Sequence, residues 1–186
     1  MALVLPGRPV ITEMTDQLLN AGSIGEIVIV LGAEHRRVEP EILKHTKIKV
    51  VYNKDYKMGQ TSSFQAGLRA ASPDAEGIML LPVDVPAVES VTFEDLAVRF
   101  LAHRPLIQIP VYQNRRGHPP VFHSRLRENL LAWDTGTGIN VFIERHAGDI
   151  AQINVDDPAV TVTFNTPQEF ETIQLFMSRR PGTQSP

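Results

Sequence analysis

Cysteine is absent from the 186 residues, which removes disulfide frameworks, zinc–thiolate sites, iron–sulfur ligation and cysteine nucleophiles together. No apolar run approaches the roughly twenty residues that a membrane-spanning helix needs. The opening MALVLPGRP lacks a basic segment followed by an apolar stretch and a cleavage site, so a cytoplasmic location is expected. Neither sign of charge dominates: 18 Lys and Arg stand against 21 Asp and Glu, a formal net charge of -3. Affinity for a phosphate backbone needs a concentrated basic face, so neither nucleic acid nor a membrane is expected as a partner. Aromatic residues make up only 6%, and Trp133 and the phenylalanines read as core rather than as a base-stacking platform. The six histidines include no H-x-x-x-H spacing, which argues against a dedicated zinc site. Ser62 and Ser63 lack a G-x-S-x-G setting, which argues against a hydrolase nucleophile.

What is present is a composition suited to one packed core. Hydrophobic residues make up 42%, and a chain of this length buries roughly 70% of the surface its unfolded form exposes. Residues 1–177 are expected to form a single domain. Residues 178–186, SRRPGTQSP, have no core-forming periodicity and read as a flexible tail.

Strand-like and helix-like segments alternate along the chain. Residues 9–21 carry Val10, Ile11, Met14, Leu18 and Leu19 at helical spacing, with Gly22 as a stop. Residues 26–31 predict a buried strand and 47–52 a second strand, and the helix-like stretch 34–44 between them is interrupted by Pro40. A helix is predicted from a Thr61 cap to about Ala71, with Pro73 beyond it. Next come a strand at 77–82, a helix at 90–103, a strand at 106–112 and a short strand at 120–123. Helical stretches at 124–133 and 138–146, strands at 151–155 and 160–164, and a helix from Pro167 to Met177 complete the pattern. This alternation implies a layered α/β domain around a mostly parallel sheet. Ligands of such sheets sit at the carboxyl ends of the strands, which directs attention to the loops at 53–59, 83–88 and 113–119.

Four segments offer chemistry there. In MGQTSSFQAGL (58–68), a glycine leads into hydroxyls at a helix start, which either cap the helix or hold an anionic or ribose-bearing ligand. In LLPVDVP (80–86), Asp84 ends an apolar strand between Pro82 and Pro86, suited to Mg²⁺ on a nucleotide phosphate or to a turn. In NRRGHPP (114–120), Arg115, Arg116 and His118 lie on a turn, either solvated or facing a phosphate or a ring. In VTFNTPQEF (162–170), Asn165 and Thr166 either cap the last helix or lend a carbonyl oxygen to a metal.

Taken in order, VVYNKDYKMGQTSSFQAGL, LLPVDVPAV, RRGHPPVF and FNTPQEF resemble the MobA-like nucleotidyltransferases, especially the molybdopterin cytidylyltransferases. The resemblance implies a three-layer, Rossmann-like nucleotidyltransferase fold that transfers a nucleotide from CTP or GTP to molybdopterin, with Mg²⁺ bridging the phosphates. The S-S-x-x-x-G-L and R-G-H-P-P-V-F segments look closer to the cytidylyl branch, favouring CTP. By resemblance, Asp84 and Asn165 are catalytic, metal-side groups. Asn53, Gly59, Gln60, Ser62, Ser63 and Pro82 face the nucleotide, and Arg116, Gly117, His118 and Pro119 face the acceptor. A molybdoenzyme receiving the cofactor is the implied protein partner.

The family's opening strand, glycine-rich loop and lysine have no counterpart here, since ALVLPGRPV resembles the family segment on the carboxyl side of that lysine. The expectation is a chain missing its first strand and phosphate loop, and weakly active or inactive in this form. The rival expectation is a non-catalytic module that assists cofactor insertion. A transfer of this kind needs no strong general base, because the nucleophile is already an anionic phosphate. Holding two anions in line while cations neutralise them is the main task.

Overall fold

The computed structural model describes residues 4, 5 and 8–178. A small hairpin, β1 (Val4–Leu5) with β2 (Arg8–Pro9), leads into α1 (Val10–Leu19). The rest runs β3 (Ile27–Leu31), α2 (His35–Val38), β4 (Ile48–Tyr52), α3 (Gln60–Ala70), β5 (Gly77–Met79) and α4 (Ser90–His103). It continues β6 (Ile107–Tyr112), β7 (Arg115–Arg116), β8 (Val121–His123), α5 (Arg127–Leu131), α6 (Ile139–Arg145), β9 (Ile150–Asn154) and α7 (Pro167–Ser178).

Side-chain alternation along the strands builds three layers. On β6, Ile107 and Ile109 join Phe64 and Leu68 of α3, Leu130 of α5 and Phe142 of α6 in one apolar cluster. Gln108 points the other way, its amide donating to Leu96 O of α4 at 2.8 Å. The opposite face holds Val10 and Met14 of α1, Phe93 of α4, and Phe170 and Ile173 of α7 around Val85, Val160 and Phe164. A third cluster packs Ile27, Ile29 and Leu31 of β3 against Ile11, Leu18 and Leu19 of α1. Completely burying a side chain such as Phe122 or Ile107 contributes roughly 1.5–3 kcal/mol, so these clusters carry the stability of the layers.

The expected α/β layering is present, with strand directions more mixed than simple alternation suggests. β8 runs antiparallel to both β5 and β6, β9 runs parallel to β6, and β7 folds back on β6. β3 and β4 form a separate parallel pair in register from Ile27–Ile48 to Leu31–Tyr52. Among the described residues no ladder joins β3 to β5, although α3 spans both: its Gly67 lies against Val28 and Val30, and its Phe64 and Leu68 pack with Ile78 and Leu80.

Local chemistry overrides the sequence pattern at several places. Residues 160–164 do not form the expected strand. Asp157 caps Ala159 N at 2.9 Å and Pro158 opens a 3-10 turn over Pro158–Thr161, so the backbone is satisfied locally while Ala159 and Val160 are wholly buried. Thr61 is not the cap of α3; Gly59 takes that place at φ 99°, a conformation that glycine adopts without a Cβ penalty, and the Thr61 hydroxyl donates to Thr137 O at 2.9 Å. Arg115 and Arg116 lie in strand β7 rather than in the turn, which is made by Gln113 and Asn114 at φ 47° and 63°. Pro40 ends α2 as expected and starts a 3-10 turn over Glu39–Glu41. Ser178, expected in the tail, ends α7; the remainder of the expected tail, 179–186, lies outside the described residues.

Candidate functional site

Asp84 sits where β5 runs out. The ladder continues one residue beyond the strand through Leu80 N to Pro120 O at 3.0 Å, and a turn closes with Val85 N donating to Pro82 O at 3.2 Å. Val85 is 1% exposed and Pro86 is buried, so the chain after Asp84 is anchored in the core. Asp84 is half-buried, and among the described residues its carboxylate has no hydrogen-bond or ion-pair partner. Its backbone oxygen accepts from Phe164 N at 3.1 Å, which brings the neighbouring Asn165 to the same rim.

The turn carrying His118 reaches that rim from β7. Gly117 N donates to Pro110 O at 2.8 Å and His118 N to Val160 O at 2.7 Å. A Cβ on Gly117 would lie 2.3 Å from Val160 O and 2.7 Å from its carbonyl carbon, so only glycine lets this strand press against the Pro158–Thr161 turn. The His118–Pro119 peptide is cis. Burial pushes the His118 imidazole below its ordinary value, partly offset by the Asp84 carboxylate facing it, which favours the neutral ring. Its Nδ1 is buried and has no hydrogen-bond partner among the described residues. Arg116, by contrast, is exposed on β7.

Asn165 is presented by reciprocal capping of α7. Glu169 Oε2 accepts from Asn165 N at 2.6 Å and from Thr166 N at 3.0 Å, while Glu169 N donates to Thr166 Oγ1 at 3.2 Å. Those backbone donors hold the Glu169 carboxyl below the usual carboxylate range. Phe164, on the other side, is 9% exposed and packs on Phe170 with ring centroids 4.9 Å apart. The Asn165 backbone is therefore clamped on both flanks, while its side-chain amide makes no hydrogen bond among the described residues.

The hydroxyl segment forms a separate cluster. Asn53 Nδ2 donates to Ser62 Oγ at 2.9 Å and Ser63 Oγ at 3.0 Å, and Asn53 Oδ1 accepts from Asp55 N at 2.9 Å. Ser62 Oγ lies 2.8 Å from Gly59 O and 3.0 Å from Asp55 O. Asn53 and Ser62 are buried, so their polar atoms are spent on shaping the 53–60 loop. Residues 54–60 are all exposed, so Gly59 and Gln60 stand on the solvent side of this loop. The structure thus joins Asp84, Asn165, Gly117, His118 and the Pro82 turn, and separately joins Asn53, Ser62 and Ser63 beside Gly59 and Gln60.

Comparison with known families matches residues 1–150 to the MobA-like NTP transferase domain. The chain belongs to this family. It is accordingly a nucleotidyltransferase. No curated protein matches the sequence. Among solved structures, the homologue of Mycobacterium tuberculosis Rv0371c from Mycobacterium sp. strain JC1 superposes with a TM-score of 0.83 at 21% identity, covering 96% of this chain and 87% of that one. Rv0371c of M. tuberculosis H37Rv, in a complex with manganese, gives 0.75 at 21% identity over 94% and 90%. A 4-diphosphocytidyl-2C-methyl-D-erythritol synthase from Anaerococcus prevotii gives 0.76 at 16% identity over 95% and 89%.

The donors on this rim suit a hard cation that arrives with its substrate. Among the described residues no group of three or more His, Asp or Glu is arranged to hold a metal ion. One carboxylate and one amide oxygen fit Mg²⁺, which keeps its waters and takes phosphate oxygens from the nucleotide rather than a complete protein cage. No helix among the described residues is long and apolar enough to cross a membrane. Two side chains that hold these segments together were not singled out by sequence: Asp157, which bonds Thr92 Oγ1 at 2.8 Å and Ala159 N at 2.9 Å, and Glu169. Both leave signals, an Asp-Pro helix start and a T-x-x-E capping box.

Proposed function

We propose that this nucleotidyltransferase moves CMP from CTP to the phosphate of molybdopterin, releasing pyrophosphate, with Mg²⁺ accompanying the nucleotide. The observation that supports it is the joining of Asp84, Asn165 and His118, distant in sequence, through Phe164 N to Asp84 O and His118 N to Val160 O. In the reaction an acceptor phosphate oxygen forms a bond to the α-phosphorus of CTP as the bond to pyrophosphate breaks, so both atoms and charge balance without a base. Mg²⁺ neutralises the phosphates and the developing charge on the leaving group.

The residues of the chain do the positioning. Asp84 Oδ and Asn165 Oδ1 are the oxygen donors toward the cation. Gly59, Gln60 and Ser63 face the nucleotide from a loop whose shape is fixed by Asn53 and Ser62. His118, whose neutral form burial favours, offers a ring nitrogen to the acceptor, and Arg116 supplies the cation for its phosphate. The product is of the kind a molybdoenzyme receives.

The test is pyrophosphate release from CTP and from GTP with molybdopterin and with sugar or polyol phosphates as acceptors, for wild type and Asp84→Asn. Release with CTP and molybdopterin, lowered in Asp84→Asn by about 10²-fold or more, supports the assignment. Undiminished release in the variant removes Asp84 from it, and release only with another acceptor replaces molybdopterin.

A further inference from the structure

Glu169 is exposed and has the place of an ordinary helix cap. Its geometry goes further, because one carboxylate oxygen accepts from the backbone of Asn165, the residue before the usual cap position, as well as from Thr166. The shorter of the two bonds, 2.6 Å, is the one to Asn165. The other flank of Asn165 is tied through Phe164 N to Asp84 O. A carboxylate that fixes the backbone of one oxygen donor against the loop of another sets the distance and direction between the two. Ordinary capping of α7 would need only the Thr166–Glu169 exchange.

We propose that Glu169 is a positioning residue for the metal–nucleotide site: through the Asn165 and Thr166 amides it holds the Asn165 side chain in register with Asp84. This rests on the reading of Asp84 and Asn165 as the donors toward Mg²⁺. Groups behind a metal's direct donors typically change its affinity by about 10–100-fold when removed. A pure helix cap changes stability and leaves the metal requirement alone.

The experiment measures equilibrium binding of radiolabelled CTP to the full chain as Mg²⁺ is raised, together with hydrogen exchange of the Asn165 and Thr166 amides. The variants are Glu169→Ala, Glu169→Gln and Glu171→Gly, the last weakening the exposed face of α7 without touching the 164–166 loop. The Mg²⁺ concentration that half-saturates CTP binding is expected to rise about tenfold in Glu169→Ala. It should stay within about twofold in Glu169→Gln, whose amide oxygen still accepts in a capping box, and should not move in Glu171→Gly even where Tm falls as far. The Asn165 and Thr166 amides should lose protection only in Glu169→Ala. An unchanged Mg²⁺ requirement in Glu169→Ala, or an equal rise in Glu171→Gly, overturns the proposal. CTP binding that meets these expectations without transfer to molybdopterin overturns the acceptor reading alone, and absence of Mg²⁺-dependent CTP binding in the wild type overturns both.

Discussion

At the scale of single residues, Gly117 links the His118 turn to the core by having no side chain. Because the atom its Cβ would strike is a backbone oxygen of a buried turn, Gly117→Ala cannot be accommodated by rotating a neighbour. Overpacking of this kind costs typically about 1–3 kcal/mol. The variant should unfold at lower denaturant and shift the His118 resonances; unchanged values of both would mean that the contact relaxes freely. His118 itself predicts a pH effect. Its folded value is lowered by burial, so its share of stability is complete above the ordinary value near 6.5 and is lost as pH falls through that value toward the folded one. Between about pH 7.5 and 5.5 the wild type should lose more stability than His118→Asn, and equal losses would contradict the neutral ring.

These residues differ in how far sequence alone reveals them. The place of Asp84 just beyond an apolar strand is legible, because two prolines close that run, although the same pattern also fits a turn. Asn165 is not legible in this way, since its place between an apolar run and a Pro-started helix reads equally as a cap, and only the family resemblance singles it out. The commitment of Asn53 and Ser62 is not, because their partners come from tertiary contact between β4's end and α3. A hydroxyl at a helix start reads the same whether its oxygen is free or already bonded.

At the scale of elements, the turn at Pro158–Thr161 shows where periodicity misleads. Val160, Val162 and Phe164 alternate as a strand would, and only the preceding Asp157–Pro158 pair announces a local turn. Asp157 decides the outcome by taking Ala159 N with one oxygen and Thr92 Oγ1 with the other, joining the start of α4 to the turn that receives His118. Asp157→Ala leaves these donors without their acceptor, a cost of about 2 kcal/mol. Denaturant midpoints at constant m-value check the figure; no change would assign the turn to Pro158 alone. The layered α/β class is legible because strand and helix lengths alternate so regularly. The reversed direction of β8 is not, since a three-residue strand carries no signal of its pairing.

At the scale of the whole molecule, the β3–β4 pair and the five-stranded sheet differ in how they are held. β6 is paired on both sides, by β8 and β9, with its first five residues buried. β3 and β4 pair only with each other among the described residues, and they rest on α1 and α3. Opening of the β3–β4 unit disturbs fewer ladder bonds, so native-state hydrogen exchange should find its amides less protected than those of β6 and β9. Equal protection would mean that the helices couple the two sheets into one cooperative unit. This unit borders the 53–60 loop, whereas the Asp84 rim stands on the sheet in which β6 is paired on both sides.

The proposed metal–phosphate site unites the Asp84, Gly117–His118 and Phe164–Thr166 segments. Amide NMR of the labelled chain, titrated with CTP and substoichiometric Mn²⁺, tests it most directly, because the paramagnetic ion broadens the signals of whatever lies near it. Residues 84, 117, 118 and 164–166 should broaden together, whereas the acidic pair Glu94 and Asp95 on α4 should not. Broadening confined to that pair, or spread without preference over the acidic surface, would contradict the account.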